Sequence, residues 1–211
     1  MVPFSGKISP LTIQRLSLYL RVLKEYAAMG KVAASSGEIA EATVSTAAQV
    51  RKDLSYFGSF GKKGQGYNID ELIEAIEGIL GLDRRWKVAL VGLGKIGQSL
   101  IQFKEFGQIG FDFVAIFEKD PEKIGKSFNG IPIYHIDEMP RVCEEETILI
   151  ALVAVPAESS EEVFQRVLDA GIRGILNLSG RCCFKPPPHA FIKNVNVAAE
   201  IESLSYYLTH F

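Results

Sequence analysis

An α/β fold with a small helical domain ahead of a parallel sheet is what the sequence predicts, and three observations carry it. Apolar residues in the first part of the chain recur at helical spacing and lead into a glycine-rich, basic stretch. From Lys87 onward short apolar strands alternate with amphipathic helices. Between the first of those strands and its helix stands Gly92-Leu93-Gly94-Lys95-Ile96-Gly97.

The elements follow in order. Between Pro10 and Met29, Leu11, Ile13, Leu16, Leu20, Leu23 and Tyr26 fall mostly three and four residues apart, an amphipathic helix that ends near Gly30. Ser35 or Ser36 can cap a second helix running to Ala42, and the order SSGE favours Ser36 with Glu38 closing the first turn. Thr43 and Val44 make a tight turn, and Ser45 or Thr46 caps a third helix through Phe57. Val50, Leu54 and Phe57 form its buried stripe and leave Arg51, Lys52, Ser55 and Tyr56 on the other side. In GSFGKKGQGYNI four glycines interrupt a short apolar and basic run, as in a two-stranded hairpin with a mobile tip. A helix from Asp70 to Leu80 ends at Gly81. Helix, short helix, turn, basic helix and glycine-rich hairpin together predict a winged helix-turn-helix domain over residues 1–82.

After the polar joint LDRRW, strands are expected at Lys87–Val91, Phe113–Phe117, Ile131–Tyr134, Thr147–Val155 and Gly174–Leu178, with helices at Ile96–Phe106 and Ser159–Ala170. Such alternation predicts a Rossmann-like parallel sheet covered on both faces over residues 83–195. The last segment, residues 196–211, carries a helix from Ala198 to Leu208 with Ile201, Leu204, Tyr207 and Leu208 on one stripe, suited to packing on a partner subunit.

Composition sets limits on function. The longest apolar run, Ile148 to Pro156, is far shorter than the roughly 18–20 residues of a membrane span, so no membrane partner is expected. The opening MVPFSGKISP has no apolar block like that of a secretory signal, and a cytoplasmic location is expected. Three cysteines, Cys143 and the neighbours Cys182 and Cys183, are too few and too poorly spaced for a disulfide framework or a zinc site, so no metal is expected. A thiol switch at Cys182 and Cys183 has only Arg181 to support it. The net charge of −2 conceals an uneven distribution: from Thr43 to Tyr67, Arg51, Lys52, Lys62 and Lys63 face Asp53 alone, a balance of +3. One basic patch on an acidic protein suggests a face made for a polyanion.

Two constellations point to chemistry. In the glycine motif, Gly92 permits the tight turn, Gly94 lets a pyrophosphate approach the backbone, and Gly97 lets helix and strand pack closely. The N-terminus of the following helix, at Lys95 and Ile96, faces the anion. Glu118 ends the second strand 21 residues past Gly97, where a carboxylate binds ribose hydroxyls and repels a 2′-phosphate. NAD or NADH is therefore favoured over the phosphorylated cofactor, and Lys119 beside Glu118 slightly weakens that preference. Val155 and Pro156 lie at the carboxyl edge of the fourth strand, where open sheets hold their ligands. For nucleic acid, the third helix offers Gln49, Arg51, Lys52, Ser55 and Tyr56 to the major groove, and Lys62 and Lys63 suit phosphate or the minor groove. The histidines stand in unrelated contexts with no partner for hydride-transfer chemistry, so no enzyme activity is expected.

The run Gln49-Val50-Arg51-Lys52-Asp53-Leu54-Ser55-Tyr56-Phe57-Gly58, its continuation from Phe60 to Tyr67, and the segments GLGKIG, IFEKDPEKIG, AVPAE and AGIRGILN resemble the redox-sensing transcriptional repressor Rex family. The resemblance spans nearly the whole chain. It implies a homodimer whose terminal helix is swapped between subunits, double-stranded operator DNA as partner, and NAD/NADH as effector, with release from DNA as NADH rises. It also implies a switch in which Arg21 of the first helix meets the start of the partner's swapped helix. This sequence has Asn196 where the family has an aspartate there and Phe103 where it has a competing tyrosine. An arginine–asparagine contact is weaker than a salt bridge. Val197 stands where a side chain meets the nicotinamide, and Asn177-Leu178-Ser179-Gly180 replaces the family's NFAP. Two other readings stay open: a Rex-like regulator that responds to ATP, ADP or a coenzyme A ester, and an NAD-dependent oxidoreductase with an accessory domain.

Overall fold

The computed structural model describes residues 8–61, 65–181 and 186–210. The chain divides into two compact units between Arg84 and Arg85, within the polar joint.

In the first unit, α1 (Pro10–Ala28) starts at the Ser9 cap with proline at its first position, where no amide hydrogen is needed. Strand β1 (Ala33–Ala34) leads into α2 (Ser36–Ala42). The cap of α2 is Ser35 rather than the expected Ser36, because the reciprocal cap requires a glutamate three residues on: Glu38 N–H donates to Ser35 Oγ at 3.2 Å and Ser35 N–H to Glu38 Oε2 at 2.7 Å. Lys31 and these Ser35 bonds hold the Glu38 carboxyl down at about 2. The turn to α3 (Ala47–Ser55) passes through Val44, whose φ of +51° is unusual for a β-branched residue. Thr46 caps α3.

Strand β2 (Tyr67–Asn68) and α4 (Ile69–Leu80), closed by left-handed Gly81, complete the unit. The expected pairing of the two arms of GSFGKKGQGYNI does not occur among the described residues. Instead β2 pairs antiparallel with β1, Ala34 opposite Tyr67. The two arms nevertheless lie close together. Gly61 and Gly66 both have positive φ, and a Cβ would lie 2.4 Å from the Gly66 carbonyl oxygen at the first and 2.7 Å from that of Ala34 at the second. The tip with Lys62 and Lys63 lies outside the described residues. Leu16, Leu20 and Leu23 of α1 form one core with Ile39, Val50, Leu54, Leu72 and Ile76.

The second unit is a seven-stranded sheet. Its strands are β3 (Trp86–Val91), β4 (Phe111–Glu118), β5 (Ser127–Phe128), β6 (Ile131–His135), β7 (Ile150–Val153), β8 (Gly174–Asn177) and β9 (Phe191–Asn194). The order is β5-β6-β4-β3-β7-β8-β9, parallel except for the edge strand β5. Without β5 this is the doubly wound dinucleotide order, with its reversal between β3 and β7. Ala89, Val91, Phe117 and Val153 face α7 (Met139–Glu146) and α8 (Ser160–Asp169). Val88, Leu90, Ile116 and Leu152 face the α5 (Lys95–Gln102) and α6 (Glu105–Gln108) side. Both sheet faces are thus buried, as a parallel sheet requires.

Three expectations change here. The helix forecast over 96–106 is broken, because Phe103 turns extended (ψ 97°). Its ring packs edge-on against Phe106, which in turn meets Phe113 edge-on. The strand forecast from Thr147 begins only at Ile150, because left-handed Thr147 closes α7. That helix was hidden by Pro140 in its first turn and by Glu144 to Glu146. The last helix is longer than expected, α9 (Val197–His210), and its side chains are exposed.

At Gly97 a Cβ would lie 2.3 Å from the Gly92 carbonyl oxygen. Gly97→Ala should therefore destabilise the second unit by about 1–3 kcal/mol. Denaturant unfolding followed by Trp86, the single tryptophan, reads this as a lower midpoint; an unchanged midpoint would refute the packing role.

Candidate functional site

The carboxyl ends of β3, β4 and β7 converge where the sheet order reverses. Gly92 leaves β3 with φ +93°, and a Cβ on it would lie 2.8 Å from the Ala154 carbonyl oxygen and 2.9 Å from a Val155 methyl. The loop after β7, with Val155 and Pro156, is thereby pressed against the glycine turn. Gly94 differs, since nothing lies within 4 Å of where its Cβ would be. It is the N-cap of α5, a helix with no side-chain cap. The structure thus combines two glycines required by packing with one facing open space at a helix N-terminus, the arrangement that admits a pyrophosphate. Lys95 and Ile96 are exposed there, whereas the Leu93 side chain is buried.

Glu118 closes the other side. Its Oε2 accepts the Leu93 N–H at 2.9 Å, and its Oε1 accepts the N–H of Lys119 at 2.7 Å and of Asp120 at 3.3 Å. Burial pushes this carboxyl up, but the three amides and the nearby Lys123 ammonium outweigh it and hold the group below the usual carboxylate range. A charged carboxylate therefore stands beside the glycine turn. Lys123, which the sequence reading did not single out, reaches Glu118 Oε2 at 3.5 Å, Asp120 at 3.2 Å and the Leu93 carbonyl at 3.4 Å. Its spacing five residues beyond Glu118 in a turn was the available signal. Lys119 is drawn to Glu162 of α8 at 3.2 Å.

The first unit presents a different surface. Arg51, Lys52, Ser55 and Tyr56 are exposed on and just after α3. Arg51 donates to Ser36 Oγ at 2.8 Å, and the Ser55 hydroxyl to the Lys52 carbonyl at 2.7 Å. Gln49 is only half-exposed and turns inward, its amide donating to Asp53 Oδ1 at 2.8 Å. The fully buried Asp53 is the main feature the sequence reading missed. Oδ2 accepts from Arg15 Nε at 2.6 Å and the Tyr19 hydroxyl at 2.9 Å, while Oδ1 accepts from Arg15 Nη2 at 2.8 Å and Thr12 at 3.3 Å. Its position three residues after Val50 on the apolar stripe was the signal.

Among the residues considered for a switch, Arg21 is exposed on α1. Phe103 is half-exposed at the break after α5. Asn196 caps the start of α9, where its Oδ1 accepts the Ala199 N–H at 3.3 Å, and Val197 beside it is exposed. Asn177 is buried, donating to Asn194 Oδ1 and the Arg181 carbonyl, each at 2.7 Å, so it ties the end of β8 to β9. Burial raises the Cys143 thiol to about 11, an unreactive environment. Cys182 and Cys183 lie outside the described residues. Among the described residues no cluster of three or more metal-ligating side chains occurs, and no helix is long and apolar enough to cross a membrane.

A helix-turn-helix unit with a cationic helix face, followed by a dinucleotide-binding fold, defines a ligand-responsive DNA-binding regulator. A family model described as a CoA binding domain matches residues 83–180, and one described as a putative DNA-binding protein N-terminus matches residues 7–55. The redox-sensing transcriptional repressor Rex of Roseiflexus sp. (strain RS-1) is 40% identical over 198 residues, 94% of this chain and 90% of its own. That of Desulfitobacterium hafniense (strain DSM 10664 / DCB-2) is 40% identical over 200 residues, 95% of each chain. The crystal structure of RSP, a Rex-family repressor, has a TM-score of 0.86 at 28% identity, covering 97% of this chain and 96% of that one. RSP in complex with β-NAD+ and operator DNA has a TM-score of 0.90 at 29% identity, covering 97% and 94%. The chain belongs to the redox-sensing transcriptional repressor Rex family.

Burial raises the Asp53 carboxyl, but the bonds from Arg15, Gln49 and Tyr19 outweigh it and leave it below its ordinary value. A carboxyl lowered by folding contributes fully above the unfolded range, roughly pH 4, and loses its contribution as pH falls through the folded value. Asp53→Asn should lower the stability of the first unit by about 2 kcal/mol at neutral pH, less than a fully buried pair because 25% of the Arg15 side chain is exposed. It should also flatten the decline below about pH 4. Urea midpoints by circular dichroism across that range test this; parallel acid limbs for the two proteins would refute it.

Proposed function

We propose that this chain is a homodimeric, cytoplasmic repressor that binds operator DNA and is released when NADH occupies its dinucleotide site. The observation that carries the reading is the charged, amide-bound Glu118 carboxylate beside an open glycine turn, in a chain that also bears an exposed cationic helix. In this reading residues 1–82 bind DNA, residues 83–195 bind the dinucleotide, and residues 196–211 join two subunits. The exposed Ile201, Leu204, Tyr207 and Leu208 of α9 support that last role, since such a stripe needs an apolar partner.

The dinucleotide would lie with its pyrophosphate over Gly92, Gly94 and Gly97 at Lys95 and Ile96, and its adenosine ribose at Glu118 beside Lys119. Val155 and Pro156 would border it, with the Leu93 backbone holding the turn. Bound there, it supplies a ligand whose two redox forms differ in nicotinamide charge and shape; this chain's residues bind and orient it and do not consume it. On the DNA side Arg51, Lys52, Ser55 and Tyr56 would enter the major groove, and Lys62 and Lys63 would meet phosphate. Arg21, Phe103, Asn196 and Val197 would take part in the change between states. Asn196 would make a softer latch than a carboxylate, since its contact with an arginine carries a single formal charge.

The same carboxylate works against the 2′-phosphate of NADP and the 3′-phosphate of coenzyme A, which bring negative charge to the ribose edge. Thermal-shift titration should therefore rank NADH above NADPH and coenzyme A esters. Stronger stabilisation by ATP or ADP than by NADH would support another adenine nucleotide as effector.

Substitutions should separate the two sites. Glu118→Ala should weaken NADH binding roughly 10- to 100-fold, the equivalent of charged hydrogen bonds to the ribose, with DNA affinity retained. Arg51→Ala should cost about 1–3 kcal/mol of DNA binding and leave NADH binding intact. Calorimetry with NADH and mobility shift at one salt concentration measure the pair. Two variants indistinguishable from the parent in both assays would overturn the assignment.

A further inference from the structure

Asp53 is the single acidic residue between Thr43 and Tyr67 and is completely buried. Both of its oxygens are saturated. Oδ1 takes hydrogen bonds from Thr12, Arg15 and Gln49, and Oδ2 from Arg15 and Tyr19. Three of the donors lie on α1 and the fourth lies one turn earlier on α3 itself. The flanking Val50 and Leu54 make apolar contacts, which are non-directional and resist a roll of α3 about its axis only weakly. Hydrogen bonds to a carboxylate are directional, and Arg15 donates through two nitrogens, which fixes a plane as well as a distance. A roll of roughly 20° at the ~5–6 Å radius of a helix moves a side-chain tip about 2 Å. A bidentate base contact does not survive such a shift.

We infer that Thr12, Arg15, Tyr19, Gln49 and Asp53 form a clamp that sets the roll of α3, making Tyr19, Gln49 and Asp53 positioning residues for base reading. Gln49 moves from the groove-reading set, where its residue type suggested it belonged, to the scaffold. The clamp has a second effect. It hides and neutralises the one carboxylate of the helix, so the exposed charges of α3, Arg51 and Lys52, are all positive. The inference rests on the reading of α3 as the recognition helix.

The test uses the full-length protein and two probes, a duplex selected by the parent protein from a randomised pool and a shuffled duplex of the same composition. Tyr19→Phe and Gln49→Met should each lower the selected-to-shuffled affinity ratio by about three- to tenfold, comparable to one hydrogen bond. Asp53→Asn should lower it about tenfold or more. Affinity for the shuffled duplex and the salt dependence should stay at parental values, because the phosphate contacts are not touched. Repeating the selection with each variant should show preference weakened across the whole half-site.

If Gln49→Met instead relaxes preference at a single base pair, Gln49 reads a base and the clamp assignment is wrong. If Tyr19→Phe and Gln49→Met lower the thermal midpoint and leave the affinity ratio unchanged, the cluster is only structural. Should Asp53→Asn fail to fold, those two milder variants decide the matter. If the parent enriches no sequence at all, the recognition-helix reading falls and takes the clamp with it, a result distinct from the other two.

Discussion

The close approach of Gly97 to the Gly92 carbonyl is the constraint on which the second unit depends. No side chain fits there, so α5 sits directly against the turn that leaves β3. This seating puts the N-terminus of α5 beside the end of β4, where the Glu118 carboxylate reaches across to the Leu93 amide and fixes the turn from the other side. The loop after β7 closes against Gly92 through Ala154 and Val155. The proposed nucleotide site thus rests on backbone proximity, with one charged carboxylate at its edge. The chemistry is recognition, and the described groups around the cradle supply charge and hydrogen bonds.

The first unit solves a different problem by polar means. Helix α3 is only nine residues long, and it must keep one face in the core while the opposite face carries cations. A buried carboxylate with five hydrogen bonds is a costly way to fill a core position unless every lone pair is matched, and here both oxygens are. Such a network specifies one arrangement where apolar packing alone tolerates several.

Much of this was legible in the sequence. The strands, the glycine motif and the terminal carboxylate Glu118 follow from periodicity and spacing, because a parallel sheet buried on both faces leaves continuous apolar runs. The helix-turn-helix was equally readable from its caps and stripes. What escaped had physical reasons. The pairing of β2 with β1 joins residues more than thirty positions apart through two-residue strands, too short for any pattern. The break at Phe103 depends on ring packing with Phe106 and Phe113, which spacing does not reveal. The burial of Asp53 and the inward turn of the Gln49 amide toward it were not read, because the Asp53 partners Arg15 and Tyr19 lie on another helix, far away in sequence.

In the proposed function, a reduced dinucleotide at the glycine turn changes the affinity of the α3 face for DNA. By linkage, a tenfold loss of DNA affinity requires the ligand to favour the released state by about 1.4 kcal/mol. In the proposed switch Asn196 and Phe103 would set the size of that coupling, since neither brings the charge or hydroxyl that the family resemblance implies at those positions. The most direct measurement is the dissociation constant for a selected operator duplex at one fixed salt concentration, with no dinucleotide, with saturating NAD and with saturating NADH. A weaker complex with NADH alone is the predicted result. Equal affinity under all three conditions would rule out release by NADH.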